Sequence, residues 1–398
     1  MAGTAFGTND PLTIKKWSHR TFKDMLDDIS FTPMMGSEEG AVIQIDKELT
    51  KGKGDTITMR MRARLTGAGI GDDGKIQGNE EPQRARSLPV VIHERGHGVV
   101  SEGKMSEKRT ATTIREDGRA GLGEWGADRI EYDIIQALCG LYNEPGIQTV
   151  NVSAPTPNRI LYLGQSAAGT LTTDATTDAT LGDGGGDDPL NYLFGTKVIT
   201  EAVAYAKSYK FPKATIRNPK NHQLVGKYYI IVAHPLSFKA MRAETGETGW
   251  SRIAAQALER SDKHPIFEGA LGMWDGAILI ESNKMPRRVG AGGTFPAEGF
   301  LLNAGLDVTT DPAATGVTIG RALLLGGKAG VFAWGQLPGW YEYYDDCSGG
   351  THGRHPGVAT DMIYGVRKTR FNDHGLTTST QEDYATLCID HCINPLGA

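Results

Sequence analysis

The chain has 398 residues, of which 39% are hydrophobic and 22% are charged, which is ordinary for a soluble protein with ample material for a buried core. Its 42 basic and 47 acidic residues give a formal net charge of −5, which disfavours a protein that grips nucleic acid along its length. No apolar run approaches the roughly 20 residues that span a bilayer, and the first residues lack the pattern of a signal peptide.

The first hundred residues predict an arm followed by a hairpin. Residues 1–50 mix one short amphipathic piece with Gly, Pro and Met, so we expect an arm that is only partly helical. The next segment, GDTITMRMRARLTG, alternates apolar and polar residues, which is a strong strand pattern. A polar run of about 20 residues separates it from a second strand-like run, LPVVIHERGHGVVS. Together they predict a long antiparallel hairpin, which is marginally stable alone and therefore needs another surface to lie on.

Residues 105–142 change to a helical pattern. Apolar side chains recur at three- and four-residue steps, at Trp125, Ile130, Ile134, Ile135, Leu138 and Leu141. Four glycines weaken the middle of this segment by up to about 1 kcal/mol each relative to alanine. We therefore predict one long helix with a bend, or two helices in line. Further on, residues 169–188 are acidic and rich in Gly and Thr, which is typical of an exposed, mobile loop.

The second half of the chain predicts a mixture of helices and strands. NYLFGTKVITEAVAYAKSY and WSRIAAQAL have helical patterns, and KYYIIVAHPLSFKAMRAE predicts a buried strand that leads into a helix. DGAILIESN predicts a strand, VTIGRALLLGGKAGVFAWG a buried helix, and DMIYGVRKTRFNDHGLTTSTQ further strands. The fold class is therefore α+β, without regular βαβ repetition.

The stretch PVVIHERGHGVV contains a literal match to H-E-x-x-H, the signature of zinc proteases. Two histidines four residues apart lie about 5–6 Å apart on a helix and can share one ion. On a strand they lie about 13 Å apart and cannot. The β-branched residues and glycines around the match favour a strand, with His93, Arg95 and His97 on one polar face, opposite Ile92 and Glu94. A zinc-dependent hydrolase using His93, Glu94 and His97 is the alternative hypothesis.

Other motifs predict no catalytic residue, cofactor or metal. GIGDDG fits a dinucleotide-binding fingerprint, but the helix that should follow it is missing. Two Cys/His groups stay open as metal-binding alternatives, although neither offers four ligands at finger-like spacing: Cys347, His352 and His355, and Cys388, His391 and Cys392.

The order of these segments resembles the major capsid proteins of tailed double-stranded DNA bacteriophages, which have the Hong Kong 97 fold. More narrowly, it resembles the branch found in phages related to coliphage N-four. The matching stretches, spread in the family's order over residues 45–377, are ELTKGKGDTITMRMRARLTGAG, GNEEPQ, HPIFEGAL, GMWDGAILIESNKMP, IGRALLLGGKAGVFAWG and YGVRKTRFNDHGL. The resemblance implies a non-enzymatic structural subunit that self-assembles into an icosahedral shell.

The resemblance also implies five regions along the chain. They are an N-terminal arm (1–50), an extended loop (51–104), a peripheral domain (105–219) with its spine helix (105–142) and the acidic loop (169–188), an axial domain (220–335), and closing strands of the peripheral domain with a C-terminal segment (336–398). The extended loop is expected to reach over a neighbouring subunit.

We expect this loop to hold an inter-subunit contact between basic and acidic side chains. The candidate residues are Arg60, Arg62, Arg64 and Arg95, with Glu80 and Glu81 near the hairpin tip.

Implied partners are copies of the chain in hexamers and pentamers, together with portal, scaffold and decorating proteins. The shell is expected to enclose double-stranded DNA without sequence-specific binding and without any membrane. We expect a virion capsid assembled in the reducing cytoplasm of the host bacterium, since four cysteines are too few for a disulfide scaffold. A monomeric binding module that uses the hairpin as a recognition finger is the third alternative.

Overall fold

The computed structural model describes residues 29, 31–38, 40–47, 50, 52–62, 65, 67, 69–71, 74–81, 85–102, 104–109, 114–140, 151–156, 159–162, 193–217, 224–243, 270–288, 318–344, 355–371 and 382–393. Within these residues the helices are α1 (Lys104–Arg109), α2 (Ile114–Cys139), α3 (Thr196–Ser208) and α4 (Pro235–Ala243). The strands are β1 (Met35–Gly36), β2 (Ile43–Asp46), β3 (Thr56–Arg62), β4 (Ala85–Val91), β5 (His93–Val100), β6 (Ile160–Tyr162), β7 (Ala214–Arg217), β8 (Leu224–Ala233), β9 (Ala270–Trp274), β10 (Ala277–Glu281), β11 (Arg287–Arg288), β12 (Thr318–Leu325), β13 (Gly330–Tyr344), β14 (Pro356–Lys368) and β15 (Thr386–Ile393). The predicted α+β class is confirmed.

One sheet is built around the two longest strands, β13 and β14, which pair antiparallel. Its strand order is β1-β2-β13-β14-β5, with β2 parallel to β13 and β5 antiparallel to β14. Helix α2 lies on one face of this sheet. Ile134 and Leu138 of the helix are fully buried in the same core as Phe332 and Tyr364 of the sheet. Burial of each large apolar side chain stabilises the fold by roughly 1.5–3 kcal/mol.

A second, eight-stranded sheet has the order β6-β15-β12-β8-β10-β9, with β11 on β12 and β7 on β8. Residues 229–233 of β8 are buried on both faces, which explains the continuous apolar run there. Ile230 and Val232 point into the core shared with α2, whereas Tyr229 and Ile231 point into a second core that helices α3 and α4 cover. The strands and helices predicted for β8, α4, α3, β10 and β14 are confirmed.

The prediction of a buried helix in VTIGRALLLGGKAGVFAWG is wrong. The segment forms β12 and the start of β13, joined by a turn in which Lys328 has a φ of 59°. Strand β12 lies between β15 and β8 in the sheet. A separate core covers each face, so Leu323 enters one core and Leu324 the other. Since both faces are buried, the sequence shows a continuous apolar run, and such a run does not distinguish a strand from a helix.

The predicted hairpin is confirmed only as far as Val91. Strands β3 and β4 pair antiparallel from Thr56 opposite Val91 to Arg62 opposite Ala85. The chain then leaves the hairpin, and β5 joins the five-stranded sheet as an edge strand beside β14. Residues 51–104 therefore do not form one continuous hairpin, because the second strand-like run divides between two sheets.

The hairpin lies on the five-stranded sheet, as its marginal stability requires. Ile57 and Met59 of β3, with Leu88 and Val90 of β4, pack on the two sheet residues at the start of β13, Val331 and Ala333. Arg367 also donates a hydrogen bond to the backbone oxygen of Pro89. This contact fixes the base of the hairpin within the subunit.

Other predicted regions differ from the observed elements in their limits. The helical segment 105–142 contains two helices, α1 and α2. Among the described helices, none has the length and apolar character of a membrane span. Part of the predicted arm belongs to the subunit core, where Phe31 is buried and β2 joins the sheet. Residues 1–28, 169–188 and 250–258 lie outside the described residues.

The expected domain limits do not separate the two sheets. Strand β6 lies in region 105–219 and β15 in region 336–398, yet both complete the eight-stranded sheet that β8 and β12 form within 220–335. Strand β13 begins inside region 220–335 but belongs to the five-stranded sheet. The chain therefore crosses between the sheets more often than a linear division suggests.

A fully buried ion pair joins the end of β14 to the segment that precedes β15. Lys368 Nζ lies 2.7 Å from Asp383 Oδ2, and both side chains are 0% exposed. Arg370 Nε lies 3.0 Å from the other carboxylate oxygen, and Arg159 Nε donates to the backbone oxygen of Asp383. Because a buried charge is tolerated only with a partner, this carboxylate holds both cations in place.

Replacing this carboxylate should therefore destabilise the folded subunit. We expect Asp383→Asn to lower the free energy of unfolding of the unassembled subunit by about 3–5 kcal/mol, because the Lys368 charge stays buried without its counter-charge. Asp275→Asn is the matched control, since the Lys207–Asp275 pair is 47% and 35% exposed and should contribute less than about 1 kcal/mol. Urea unfolding measures both variants, and equal small losses would contradict the assignment.

Candidate functional site

Strand β5 carries the H-E-x-x-H match, and its pairing decides where each side chain points. The strand is in register with β14 over its whole length, so successive side chains point to opposite faces of the sheet. Arg95 and His97 both contact side chains of α2, whereas Glu94 is exposed on the other face. The predicted alternation is therefore confirmed.

The two imidazoles of the motif cannot share a metal ion. Four residues along a strand separate them by about 13 Å, whereas two zinc-bound nitrogens lie about 3.3 Å apart. The His97 ring instead stacks on Trp125 of α2, with ring centroids 4.8 Å apart. Burial, and then the charge of Arg95, lower the pKa of His93 below its ordinary value of 6.5. Across the described ranges, no group of three His, Cys, Asp or Glu side chains could hold a metal ion.

The second Cys/His group is built into the cores of the eight-stranded sheet. Cys388 belongs to the core shared with α2, and burial raises the pKa of its thiol to about 11. The His391 ring lies 4.9 Å from Phe194 in the other core, and its Nε2 lies 2.7 Å from the Ser237 hydroxyl. Cys388 and His391 thus point to opposite sides of β15. In the first group, Cys347 and His352 lie outside the described residues.

Arg95 is used inside the subunit. Its Nη2 lies 3.1 Å from Asp133 Oδ2, and the two side chains are 7% and 3% exposed. Asp133 also binds Arg129 at 3.1 Å and accepts a hydrogen bond of 2.6 Å from the Tyr364 hydroxyl. Burial, followed by the charge of Asp133, raises the pKa of Tyr364, so this hydroxyl remains a donor. The position corrects the expectation that Arg95 faces a neighbouring subunit.

The hairpin turns the polar face of β3 outward. Ile57 and Met59 are buried against the sheet, while Thr58 and Arg60 between and beyond them are exposed. Arg62 is the last residue of β3, and Arg64 lies outside the described residues. Of the three arginines predicted for the first strand of the hairpin, Arg60 is thus the one that the structure places on the outer surface.

Both predicted glutamates fasten the hairpin tip. Glu81 accepts a hydrogen bond of 2.7 Å from the backbone N–H of Gly67, and Glu80 accepts one of 2.8 Å from Gly78. The φ of Gly78 is 91°, in the left-handed region that favours glycine. Both carboxylates are nevertheless exposed on the tip surface.

The same tip presents a cation and apolar side chains to solvent. The backbone N–H of Asn79 donates to Ile76 O at 3.0 Å, and its side-chain amide donates to Lys75 O at 3.1 Å. These bonds hold Lys75 and Ile76 in a fixed turn. Ile76 is 72% exposed, Leu65 is 65% exposed and Ile70 is 38% exposed.

Comparison with known proteins decides the family. A family model described as phage capsid protein matches residues 5–394. The chain belongs to the phage capsid protein family. The major capsid protein of Pseudomonas phage KPP25 is 23% identical to this capsid protein over 289 residues, which are 69% of this chain and 72% of the relative.

Solved structures establish the fold of this capsid protein. The capsid of Ralstonia phage GP4 is 23% identical, covers 100% of both chains and has a TM-score of 0.71. The cyanophage Pam1 capsid is 19% identical, covers 92% of both chains and has a TM-score of 0.63. The expected Hong Kong 97 fold is confirmed. Membership of the phage capsid protein family makes the chain a structural protein, as expected. The narrower likeness to phages related to coliphage N-four stays a prediction.

The capsid protein has a second surface feature on the sheet face that points away from α2. The hairpin covers one part of this face, at Val331 and Ala333. The other part, which we term the open acidic face, consists of Glu94, Gly96, Gly98 and Val100 of β5, Asp361 of β14 and Tyr341 of β13. Val100 is 56% exposed and Tyr341 is 46% exposed, so the surface combines two carboxylates with apolar area.

Hydrogen bonds hold the centre of the open acidic face in place. Asp361 lies opposite Gly339 on one side and Gly96 on the other. Its Oδ2 accepts hydrogen bonds of 3.3 Å from both the Tyr341 hydroxyl and Gln336 Nε2. Burial raises the pKa of Tyr341, and the carboxylates of Asp361 and, less strongly, Glu94 add to this shift. The negative charges therefore lie close together beside the aromatic ring.

The sequence did not predict this surface, because its residues come from three strands that only the sheet topology brings together. One signal was nevertheless present in HERGHGVV. Once β5 is known to be a strand, alternation places Glu94, Gly96, Gly98 and Val100 on one side. An acidic residue followed by two glycines on one strand face indicates exposed backbone that a partner can approach closely.

Metal analysis tests the strand geometry of β5. Purified protein and the His93→Ala/His97→Ala variant should contain the same amount of zinc, because imidazoles about 13 Å apart cannot bind one ion. A wild-type excess of about one zinc per chain that the variant lacks would contradict the structure of β5.

Proposed function

We propose that the chain is the major capsid subunit that self-assembles into the icosahedral shell of a tailed double-stranded DNA bacteriophage. The name of the relative from phage KPP25, a major capsid protein, supports this proposal. Hexamers and pentamers of the chain would form the shell, with portal, scaffold and decorating proteins as further partners. Assembly would take place in the host bacterial cytoplasm. The net charge of −5 suits a wall that confines packaged DNA without binding its sequence.

The hairpin is the observation that carries this proposal. Its base packs on the subunit's own sheet, whereas Leu65 and Ile76 in the tip stay largely exposed. A tip fixed by its own hydrogen bonds and bearing exposed apolar side chains gains stability when a neighbouring molecule covers it. In a closed symmetric assembly, every copy supplies such a tip and receives one.

Particle size tests the proposed function directly. We expect the full chain expressed in bacteria to sediment as megadalton particles, which negative-stain microscopy shows as closed shells. An enzyme or a monomeric recognition module would give small oligomers, and that result would contradict the proposal.

Charge reversal at the tip tests the proposed contact. Glu80→Lys/Glu81→Lys should lower the particle yield by about tenfold or more, because the new lysines would meet Arg60, Arg62 and Arg64 of a neighbour as like charges. Sedimentation measures the yield, and thermal unfolding of the subunit should be unchanged within a few degrees, roughly what less than 1 kcal/mol produces.

The control for this variant separates charge from turn structure. Glu80→Gln/Glu81→Gln keeps an oxygen that accepts the hydrogen bonds from Gly78 and Gly67, but removes both charges. It should lose less yield than the reversal. Normal shells from the lysine variant would exclude the glutamates from the contact.

A further inference from the structure

The open acidic face has the properties of a binding surface that a cationic, apolar element can occupy. Glu94, Gly96 and Gly98 are exposed, and Val100 and Tyr341 supply apolar area beside them. A Cβ placed on Gly96 would meet no atom closer than 3.5 Å, so the backbone there is open to close approach. The surface carries two carboxylates and, among the residues that define it, no basic side chain.

The hairpin tip carries the complementary chemistry. Lys75 and Ile76 are adjacent and exposed, and hydrogen bonds to Asn79 hold both backbone oxygens of this pair. Because the turn is already ordered, docking it costs less conformational entropy than ordering a free loop would. Both side chains remain exposed in the subunit, so its own sheet does not receive them.

We propose that the open acidic face of one subunit receives the Lys75–Ile76 turn of the hairpin tip of a second copy. In this contact the Lys75 ammonium faces Glu94, with the Asp361 charge behind it, and Ile76 packs against the Tyr341 ring beside these carboxylates. This inference rests on the proposed function, since it assigns the surface on which the hairpin of a neighbouring shell subunit lies.

The two parts of this contact contribute differently. Covering Ile76 removes a large apolar side chain from water, which contributes most of the stabilisation. An exposed lysine–glutamate pair adds little affinity, but it selects the register and excludes like-charged surfaces. The proposal therefore predicts that reversing the sign of a charge in this contact impairs assembly more than the same change in net charge elsewhere on the chain.

The position of Arg60 fits the same arrangement. Arg60 lies on the outer side of the hairpin that covers the adjoining part of the same sheet face. A tip seated on the open acidic face therefore lies on the same face of the sheet as that hairpin.

A charge exchange tests the pair in the full chain. Lys75→Glu and Glu94→Lys should each reduce the particle yield by about tenfold or more, since each places like charges against each other at every contact. The double variant Lys75→Glu/Glu94→Lys restores opposite charges and should return the yield to within about twofold of the wild type.

Matched controls use the exposed pair Lys197 and Glu201 on α3, which lies on the other sheet. Lys197→Glu and Glu201→Lys make the same changes in net charge and should leave the yield unchanged. Thermal unfolding of each subunit variant confirms that folding is intact.

The outcomes separate this inference from the proposed function. Shells formed normally by either single variant, or single losses that the double variant does not reverse, would overturn the Lys75–Glu94 contact while leaving shell assembly in place. Failure of the wild-type chain to form particles would instead contradict the proposed function itself.

Discussion

The pairing of β5 with β14 is the constraint on which the rest of the structure depends. It makes alternate residues of one short strand serve two different surfaces. Arg95 points to α2 and binds Asp133, whereas Glu94 points away and stays exposed. A shift of one residue would exchange the two faces, placing a carboxylate beside Asp133 and an arginine in solvent. The buried ion pair therefore fixes the register that also creates the open acidic face.

Buried ion pairs also fix the strand register elsewhere in the fold. Arg321 of β12 binds Asp390 of β15 at 2.6 Å, with both side chains 5% exposed, and donates to the backbone oxygen of Cys139 at the end of α2. Such pairs offset a large desolvation cost and contribute little net stability. They do make alternative pairings of apolar strands unfavourable, since any slip would leave a buried charge without a partner. In this largely apolar sheet, such pairs therefore fix the strand register.

Local patterns predicted the elements whose two faces differ, and failed where both faces are alike. Strict alternation in β3 is confirmed because that strand has one buried and one exposed side. Strand β12 was taken for a helix because a separate hydrophobic core covers each of its faces. The limits of the hairpin were wrong because β4 and β5 are continuous in sequence pattern, and the exchange of partners near Ile92 depends on β14, more than 250 residues further on. The open acidic face could not be predicted for the same reason: three strands distant in sequence build it.

The division of the hairpin into a buried base and an exposed tip follows from the limited area of one sheet face. Val331 and Ala333 accept only the four apolar residues at the base, so the remaining apolar side chains of the tip cannot be satisfied within the same subunit. An isolated subunit therefore exposes both the apolar side chains of the hairpin tip and part of a sheet face. Exposed apolar area of this kind promotes association in solution. In the proposed contact, symmetric association removes both at once, because each copy would cover one face and have its own covered. Repetition of such a contact around a closed assembly adds strength that no single interface supplies.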